Sequence, residues 1–258
     1  MKDKVAFITG GGSGIGEASA KLLAQQGAKV VVLGRTKGEL DAVVEDIRAA
    51  GGEALAVEAD ISVVDDMKNA YAQTVETYGR LDIVFANAGI NGTWAPIDAL
   101  EPEEFRKTVD VNLNGTFYTL KYAVPHLRER GGSIIVTSSV NGTRNFVNSG
   151  ATAYSSTKAA QVAMTKMLAL ELAKDRIRVN VICPGMIDTQ IERNTNHENL
   201  ERARVRVEYP AGKIPLTDGE PGTSEQVAQL VAFLASNASS HITGTEVWID
   251  GGQSLLQG

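Results

Sequence analysis

The chain has 258 residues, 43% of them hydrophobic, and a formal net charge of -6, a length and composition that suit a single α/β domain over residues 1–258. The acidic balance argues against nucleic acid or an anionic membrane as the main partner, because neither is attracted to a negatively charged surface. The single cysteine, Cys183, and three scattered histidines exclude an internal disulfide and argue against a metal site. No run of 18 apolar residues and no secretion signal is visible, so a cytoplasmic protein is expected.

Short apolar runs alternate with helical patterns along the chain. This alternation predicts a parallel sheet with helices on both faces, a three-layer, doubly wound α/β fold with about seven strands. In such a sheet the carboxyl ends of the strands form one rim, where ligands bind. Ser62 with Asp65, and Thr223 with Gln226, predict two helix caps. The predicted strands are Val5 to Ile8, Lys29 to Leu33, Ala54 to Val57, Ile83 to Phe85, Ile134 to Thr137, Val179 to Ile182 and Glu246 to Ile249.

A glycine-rich turn, Gly10 to Gly16, separates the first predicted strand from a helical pattern. Strand, glycine turn and helix in this order are typical of a dinucleotide-binding site, where backbone amides and a helix N-terminus meet a pyrophosphate. The glycines at 10, 14 and 16 depart from the common G-x-G-x-x-G spacing. An ordinary turn is therefore the alternative interpretation of this segment.

Tyr154 and Lys158 stand four residues apart in a helical pattern, which places both side chains on one helix face. A nearby cation favours the phenolate, so Lys158 is predicted to lower the pKa of Tyr154 and to make it a proton donor and acceptor. Taken alone, such a pair is more often a surface tyrosine beside a solvated lysine. The other motifs decide between the two interpretations.

Several polar or turn-forming motifs follow the later strands. Asn87-Ala88-Gly89, Ser138-Ser139 and Pro184-Gly185 each come directly after an apolar run, and Asn112 lies in a helical pattern between them. With the glycine turn and the Tyr154/Lys158 pair, this set closely resembles the short-chain dehydrogenase/reductase family, in particular its 3-oxoacyl reductase-like members. The resemblance covers nearly the whole chain and implies a Rossmann fold.

The resemblance also implies a reaction, the interconversion of a carbonyl and an alcohol by hydride transfer to or from a nicotinamide cofactor. It implies a catalytic tetrad in which Tyr154 is the acid/base and Ser139 holds the substrate oxygen. Lys158 would bond the nicotinamide ribose, and Asn112 would anchor a water. Ser139 is preferred over Ser138 because the family's serine usually sits nearer the tyrosine. The cofactor site is expected to comprise Gly10, Ser13, Gly14, Ile15, Gly16, Arg35, Asp60, Ile61, Asn87, Ala88, Gly89, Tyr154, Lys158, Pro184, Gly185, Ile187 and Thr189.

The end of the second predicted strand bears on cofactor choice. It continues as Gly34-Arg35-Thr36 and lacks the acidic residue that would bond a ribose 2'-hydroxyl and repel a phosphate. Arg35 is instead expected to bind the 2'-phosphate of NADP. A solvated loop charge, with NAD as the cofactor, is the alternative.

Residues 186–222 break the alternation of strands and helices, and the resemblance implies that they form a lid over the substrate; a solvated surface helix is the alternative. Trp94, Phe146 and Met186 suit an apolar ketone or 3-oxoacyl substrate, whereas nearby asparagines keep a sugar or polyol dehydrogenase open. A non-catalytic dinucleotide sensor is disfavoured, because Tyr154 and Lys158 are both present. Two unusually apolar helical patterns, matching the family's usual dimer of dimers, predict a homotetramer; plain core packing is the alternative.

Overall fold

The structure, a computed structural model, describes residues 1–205, 207, 209 and 213–256. A seven-stranded, all-parallel sheet forms its centre. The seven predicted strands are all confirmed, and their bounds differ from the prediction by at most a few residues. The strands are β1 (Val5–Thr9), β2 (Lys29–Gly34), β3 (Glu53–Glu58), β4 (Ile83–Ala86), β5 (Gly92–Trp94), β6 (Gly132–Thr137), β7 (Ile177–Pro184), β8 (Thr195–His197) and β9 (Glu246–Ile249).

Within the large sheet the strands lie in the order β3-β2-β1-β4-β6-β7-β9. The chain builds outward from β1 in one direction and then returns to add β4 on its other side. This point, where the strand order reverses, is the place at which doubly wound sheets bind ligands. In the register, Thr9 pairs with Leu33 of β2, and Ile8 pairs with Phe85 of β4. The carboxyl ends of these three strands therefore lie side by side.

Helices cover both faces of the sheet and produce two separate apolar cores. The first core contains Met67 and Leu120, and the second contains Leu23 and Val227. Because both faces are covered, residues of the central strands are buried whichever way they point, which explains the nearly continuous apolar runs in the sequence. The helices are α1 (Gly14–Gln25), α2 (Lys37–Ala49), α3 (Val64–Tyr78), α4 (Pro102–Val109), α5 (Gly115–Leu127), α6 (Thr152–Leu172) and α7 (Ser224–Ala235).

A π-helical segment, Asp110–Asn114, joins α4 to α5. Such segments are rare and are found mostly at functional sites. Here the segment contains Asn112, whose side chain is completely buried. The altered helical geometry thus occurs at one of the residues singled out in the sequence.

A second, two-stranded parallel sheet was not predicted. It joins β5 to β8, with Gly92 opposite Thr195 and Trp94 opposite His197. Strand β8 belongs to the segment predicted as a lid, so this pairing ties the lid to the loop that follows β4. Residues 206, 208 and 210–212 of the predicted lid lie outside the described residues.

Helices α5 and α6 carry apolar side chains on their outer surfaces. Phe117 is 44% exposed, Met167 73% and Leu170 84%. Isolated exposed apolar residues are common, but three on two neighbouring helices are typical of a contact surface. None of the helices in the described residues combines the length and the apolar character needed to cross a membrane.

Candidate active site

A cleft of about 1290 Å³ opens along the carboxyl ends of the strands. All the residues predicted to form the site line it, except Gly16 and Asn112. These two lie directly behind its wall, where Gly16 packs against Gly10 and Asn112 is bonded to Ile90. The sequence-predicted residues are therefore brought together at one place.

The glycine turn is shaped by close backbone contacts. Gly10 has a φ of 65°, in the left-handed region that glycine adopts without strain. A Cβ atom on Gly10 would lie 3.0 Å from Cα of Ala88, and one on Gly16 would collide with the carbonyl oxygen of Gly10. Larger residues at these positions would push the turn away from the strand ends.

Polar side chains tie three strand ends together. The Thr9 hydroxyl oxygen accepts hydrogen bonds from the backbone amides of Asn87 and Ala88, at 3.0 and 3.1 Å. The Asn87 side chain donates to the Thr9 carbonyl at 3.3 Å and accepts from the Thr137 hydroxyl at 3.1 Å. Asn87 thus links β1, β4 and β6 and fixes the rim that faces the cleft.

The glycine turn and the start of α1 fit a dinucleotide. Helix α1 begins at Gly14, and within the described part of the chain the Ser13 side chain does not cap its first amides. Uncapped N–H groups at a helix N-terminus are suited to binding phosphate oxygens. The glycine turn, whose Gly10 and Gly16 leave no room for side chains, lets a ligand approach this backbone closely.

Arg35 and Asp60 line the part of the cleft next to the glycine turn. Arg35 is exposed, and its Nη1 lies 4.0 Å from Oδ2 of Asp60. The other Asp60 oxygen accepts from the backbone amide and the hydroxyl of Ser62, at 2.8 and 2.6 Å. This arrangement contradicts the predicted Ser62 cap, because α3 follows Val63 and the Ser62 hydroxyl bonds Asp60 instead.

Asn112 connects the loop after β4 to α6. Its amide nitrogen donates to the Ile90 carbonyl at 2.8 Å and to the Thr157 hydroxyl at 3.2 Å. Its amide oxygen accepts from the Ile90 amide at 2.8 Å. The Asn112 carbonyl accepts from Gln161 at 2.7 Å. These bonds hold Asn112 behind the cleft rather than on its surface.

The two neighbouring serines have different surroundings. Ser138 is 2% exposed, and its hydroxyl donates to the Lys158 carbonyl at 2.8 Å. The Ser138 hydroxyl is therefore engaged in a hydrogen bond inside the fold. Ser139 lines the cleft, its hydroxyl accepts from the Asn141 amide at 3.1 Å, and it lies near enough to the Tyr154 phenol to lower the pKa of that group. The environment therefore favours Ser139 over Ser138 for contact with a ligand.

Tyr154 and Lys158 lie together in the first turns of α6. Lys158 is 3% exposed, its Nζ donates to the Thr137 carbonyl at 2.8 Å, and it lies 5.6 Å from the centre of the Tyr154 ring. Burial lowers the pKa of Lys158 to about 8. The pair is not a surface pair, which removes the alternative left open by its spacing.

The predicted lowering of the Tyr154 pKa by Lys158 is wrong for this structure. Burial raises the pKa of the phenol above its ordinary value of 10, and the nearby Ser139 hydroxyl offsets only part of that shift. The physical reason is desolvation, which disfavours the charged form of both residues. The polar group that lowers the pKa of the phenol is Ser139 and not Lys158.

The segment that follows β7 closes the cleft on another side. Pro184, Gly185, Ile187 and Thr189 line the cleft as predicted. A Cβ atom on Gly14 would lie 3.3 Å from the Thr189 side chain, so this segment contacts the glycine turn. The predicted lid therefore begins in direct contact with the proposed dinucleotide site.

Among the cleft residues that were not identified from the sequence are His197 and Gln253. His197 lies 5.7 Å from the Trp94 ring, which in turn is 6.4 Å from the Tyr154 ring, both between ring centres. Gln253 accepts from the Met186 amide at 2.8 Å. Gln253 was recognisable in principle, since it follows the end of β9 as the other site residues follow theirs. His197 was not, because only the β5–β8 pairing brings it near.

Within the described residues, no three His, Cys, Asp or Glu side chains form a group that could hold a metal ion. The polar groups of the cleft are hydroxyls, amides, backbone amides and isolated charges. Such groups suit an organic ligand that carries phosphates and hydroxyls.

Known proteins share the fold and almost the full length of this chain. The profile of a family described as enoyl-(acyl carrier protein) reductase matches residues 10–254. A cyclohexanol dehydrogenase from Acinetobacter sp. (strain SE19) is 40% identical over 252 residues, which cover 97% of this chain and 95% of that protein.

Two solved structures extend this similarity. A 3-ketoacyl-ACP reductase from Sinorhizobium meliloti 1021 has a TM-score of 0.94 and 54% identity, covering 98% of this chain and 100% of that one. A 3-ketoacyl-(acyl-carrier-protein) reductase from Brucella melitensis, complexed with NADH, has a TM-score of 0.86 and 34% identity, covering 98% and 99%. The chain therefore belongs to the short-chain dehydrogenase/reductase family, as an NAD(P)-dependent oxidoreductase similar to the 3-oxoacyl reductases.

Proposed function

We propose that the protein interconverts a carbonyl and an alcohol with NADP as the cofactor and Tyr154 as the acid/base. The observation that carries the proposal is the Tyr154 phenol beside Ser139 on the wall of the cleft, with the Lys158 ammonium 5.6 Å from the centre of the phenol ring. A proton donor, a second hydroxyl and a buried cation at one point suit proton transfer to a carbonyl oxygen.

The roles follow from the position of each group. In reduction, the Tyr154 hydroxyl gives its proton to the substrate oxygen, while the Ser139 hydroxyl donates a hydrogen bond to the same oxygen. The Lys158 ammonium opposes the negative charge left on the phenolate. Asn112 holds the Ile90 backbone beside this pair. The nicotinamide, when bound, supplies or accepts the hydride.

The same residues account for cofactor binding. The backbone amides at the start of α1 would hold the pyrophosphate, and Asp60 and Ile61 would contact the adenine. Asn87 and the residues Pro184 to Thr189 would surround the ribose and the carboxamide. This assignment is supported by the position of these residues along one cleft and by the NADH complex of the Brucella melitensis relative.

Arg35 is the basis for proposing NADP rather than NAD. Its guanidinium is exposed on the cleft, and a bidentate contact with a 2'-phosphate would replace its long, 4.0 Å contact with Asp60. Glu39 also lines this part of the cleft, and repulsion between its carboxylate and a phosphate is the main argument for NAD. We favour NADP because Arg35 directly follows the strand end.

We expect Arg35→Ala to reduce kcat/KM with NADPH about 10- to 100-fold, the worth of a charged hydrogen bond, and to leave kcat/KM with NADH nearly unchanged. Lys37→Ala is the matched control, since this lysine pairs with Asp41 and is not among the residues lining the cleft. Steady-state kinetics with both cofactors measures the effect. A wild-type preference for NADH would contradict the assignment of NADP.

Apolar side chains line part of the cleft, among several polar ones. Val140, Val147, Met186 and Trp94 line it near Tyr154, and such a lining suits a ketone with a hydrophobic arm or a 3-oxoacyl chain. The names of the relatives, a cyclohexanol dehydrogenase and 3-ketoacyl-ACP reductases, agree with this chemistry. A sugar would bury several hydroxyls, each costing about 1 to 3 kcal/mol if left without a partner.

A substrate panel tests the proposed function. We expect NADPH-dependent reduction of cyclohexanone-sized ketones and of 3-oxoacyl thioesters, with slower oxidation of sugars and polyols. Asn141, Asn145 and Asn148 also line the cleft and offer partners for hydroxyls. If a polyol gave the highest kcat/KM, the proposed substrate class would be wrong, whereas the proposed interconversion of a carbonyl and an alcohol would stand. If no carbonyl or alcohol turned over although cofactor bound, a dinucleotide sensor would replace the enzyme.

The proposal includes a homotetramer, because α5 and α6 present apolar side chains to the outside. A contact there would cover Phe117, Met167 and Leu170 and would stiffen the helix that carries Tyr154. A cytoplasmic location and the closing of residues 186–222 over the substrate are part of the same proposal.

A further inference from the structure

The hydroxyl of Thr143 lies between the loop that carries Ser139 and the last strand of the sheet. Its Oγ1 is 3.1 Å from the Ser139 carbonyl and 3.3 Å from the Val140 carbonyl, and it accepts a hydrogen bond from Nε1 of Trp248 at 3.0 Å. A hydroxyl has one proton to donate. The shorter contact assigns that proton to the Ser139 carbonyl.

Two contacts fix the position of Trp248. It is part of β9, where it pairs with Cys183 of β7. The guanidinium of Arg144 lies 3.4 Å from the centre of its indole ring, within the range of a cation–π contact. The indole N–H therefore reaches Thr143 from a rigid element, and Arg144 ties the same loop to the ring a second time.

The loop that receives this support has little regular structure of its own. After Ser139 it forms one short turn, Val140–Gly142, and it contains Phe146, which is 69% exposed, before α6 begins at Thr152. Ser139 precedes that turn; its hydroxyl accepts from the Asn141 amide and lies beside the Tyr154 phenol. A small movement of the Ser139 backbone would therefore shift the hydroxyl relative to the phenol.

We propose that Thr143, oriented by Trp248, is a positioning residue that holds Ser139 beside Tyr154. This inference rests on the proposed function, in which Ser139 bonds the substrate oxygen. Thr143 acts through the Ser139 backbone, and its effect on turnover exists only while the Ser139 hydroxyl is present. That dependence separates positioning from a general contribution to stability.

A double-mutant cycle tests the proposal. Thr143→Val keeps the shape of the side chain and removes its hydroxyl; we expect kcat to fall about tenfold, as small displacements of reacting groups do, with the KM for the cofactor unchanged. Thr143→Ser restores the hydroxyl and is expected to restore kcat. In a Ser139→Ala background, Thr143→Val should change kcat by less than about twofold, because the group through which it acts is gone. A full tenfold loss in that background would overturn the proposal.

Further variants check the origin of the effect. Trp248→Phe keeps a ring for Arg144 but loses the indole N–H, and we expect a few-fold loss of kcat in the same direction as Thr143→Val. Thr77→Val is the control. The Thr77 hydroxyl donates to the Gln73 carbonyl on the surface of α3, and Thr77 is not among the residues that line the cleft. Unchanged kcat in both Thr143→Val and Trp248→Phe would overturn the proposal.

Crystal structures of the Thr143 variants test the positioning role independently of the proposed function. If the wild-type protein turned over no carbonyl or alcohol, the proposed function would fail. The positioning claim would then be judged from the coordinates of Thr143→Val and Thr143→Ser. Displacement of the Ser139 hydroxyl from Tyr154 in the valine variant alone would support the claim, and an unmoved Ser139 would refute it.

Discussion

Tyr154→Phe is expected to bind cofactor like the wild type and to turn over carbonyl substrates about 10²- to 10⁴-fold more slowly, the usual contribution of a positioned acid or base. The variant removes one hydroxyl and keeps the ring that packs 6.4 Å from Trp94. Tyr154 is 8% exposed, so no water takes over the position of the phenol without rearrangement. The loss should appear in kcat and kcat/KM together, as for an interaction made in the transition state.

The control for this variant is Tyr78→Phe, which removes a phenol at the end of α3 and is expected to leave turnover unchanged. Cofactor affinity, measured by fluorescence titration, and the thermal midpoint confirm that both variants are folded. Turnover by Tyr154→Phe within about tenfold of the wild type would be too small a loss for a general acid. Tyr154 would then lose its assigned role, while Ser139 would remain as a hydrogen-bond donor.

The sequence predicted the large sheet because its physical cause is local. The central strands are covered on both faces and appear as nearly continuous apolar runs, and Val5–Thr9 is the clearest case. The cap formed by Thr223 and Gln226 was also correct, since both partners lie within one helical turn. The cap predicted at Ser62 failed because Asp60, outside the pattern, binds the same hydroxyl.

The candidate site likewise has features that the sequence predicted and features that it did not. Its location followed from strand ends, which the sequence marks with Asn87 and Ser139. The β5–β8 pairing was not predictable, because each strand has only three residues and the two lie about a hundred residues apart. The direction of the Tyr154 pKa shift was missed for a related reason. Spacing reveals that Lys158 is near, but the depth of burial depends on walls contributed by distant segments such as Trp94.

Lys158→Met is expected to abolish turnover and, at the same time, to make the cofactor-free protein more stable. Burial lowers the pKa of Lys158 from 10.5 to about 8, a difference that corresponds to about 3 kcal/mol of unfavourable free energy at neutral pH. Methionine fills similar space without charge. Loss of the hydrogen bond to the Thr137 carbonyl offsets about 1 to 2 kcal/mol. We therefore expect the free energy of unfolding to rise by about 1 to 2 kcal/mol.

The pH dependence of this gain identifies its cause. Below about pH 8 the lysine is charged in both the folded and the unfolded protein, so the wild type bears the full cost of burying the charge. Between about pH 8 and 10.5 the folded protein loses the proton while the unfolded protein keeps it, and the wild type becomes more stable as the pH rises. Urea unfolding of the two proteins at pH 7 and pH 10 measures the difference. We expect the advantage of Lys158→Met at pH 7 to shrink or reverse at pH 10. A constant difference would mean that the buried ammonium is not the source of the instability, and a less stable variant at pH 7 would mean that the lysine contributes more to the fold than its charge costs.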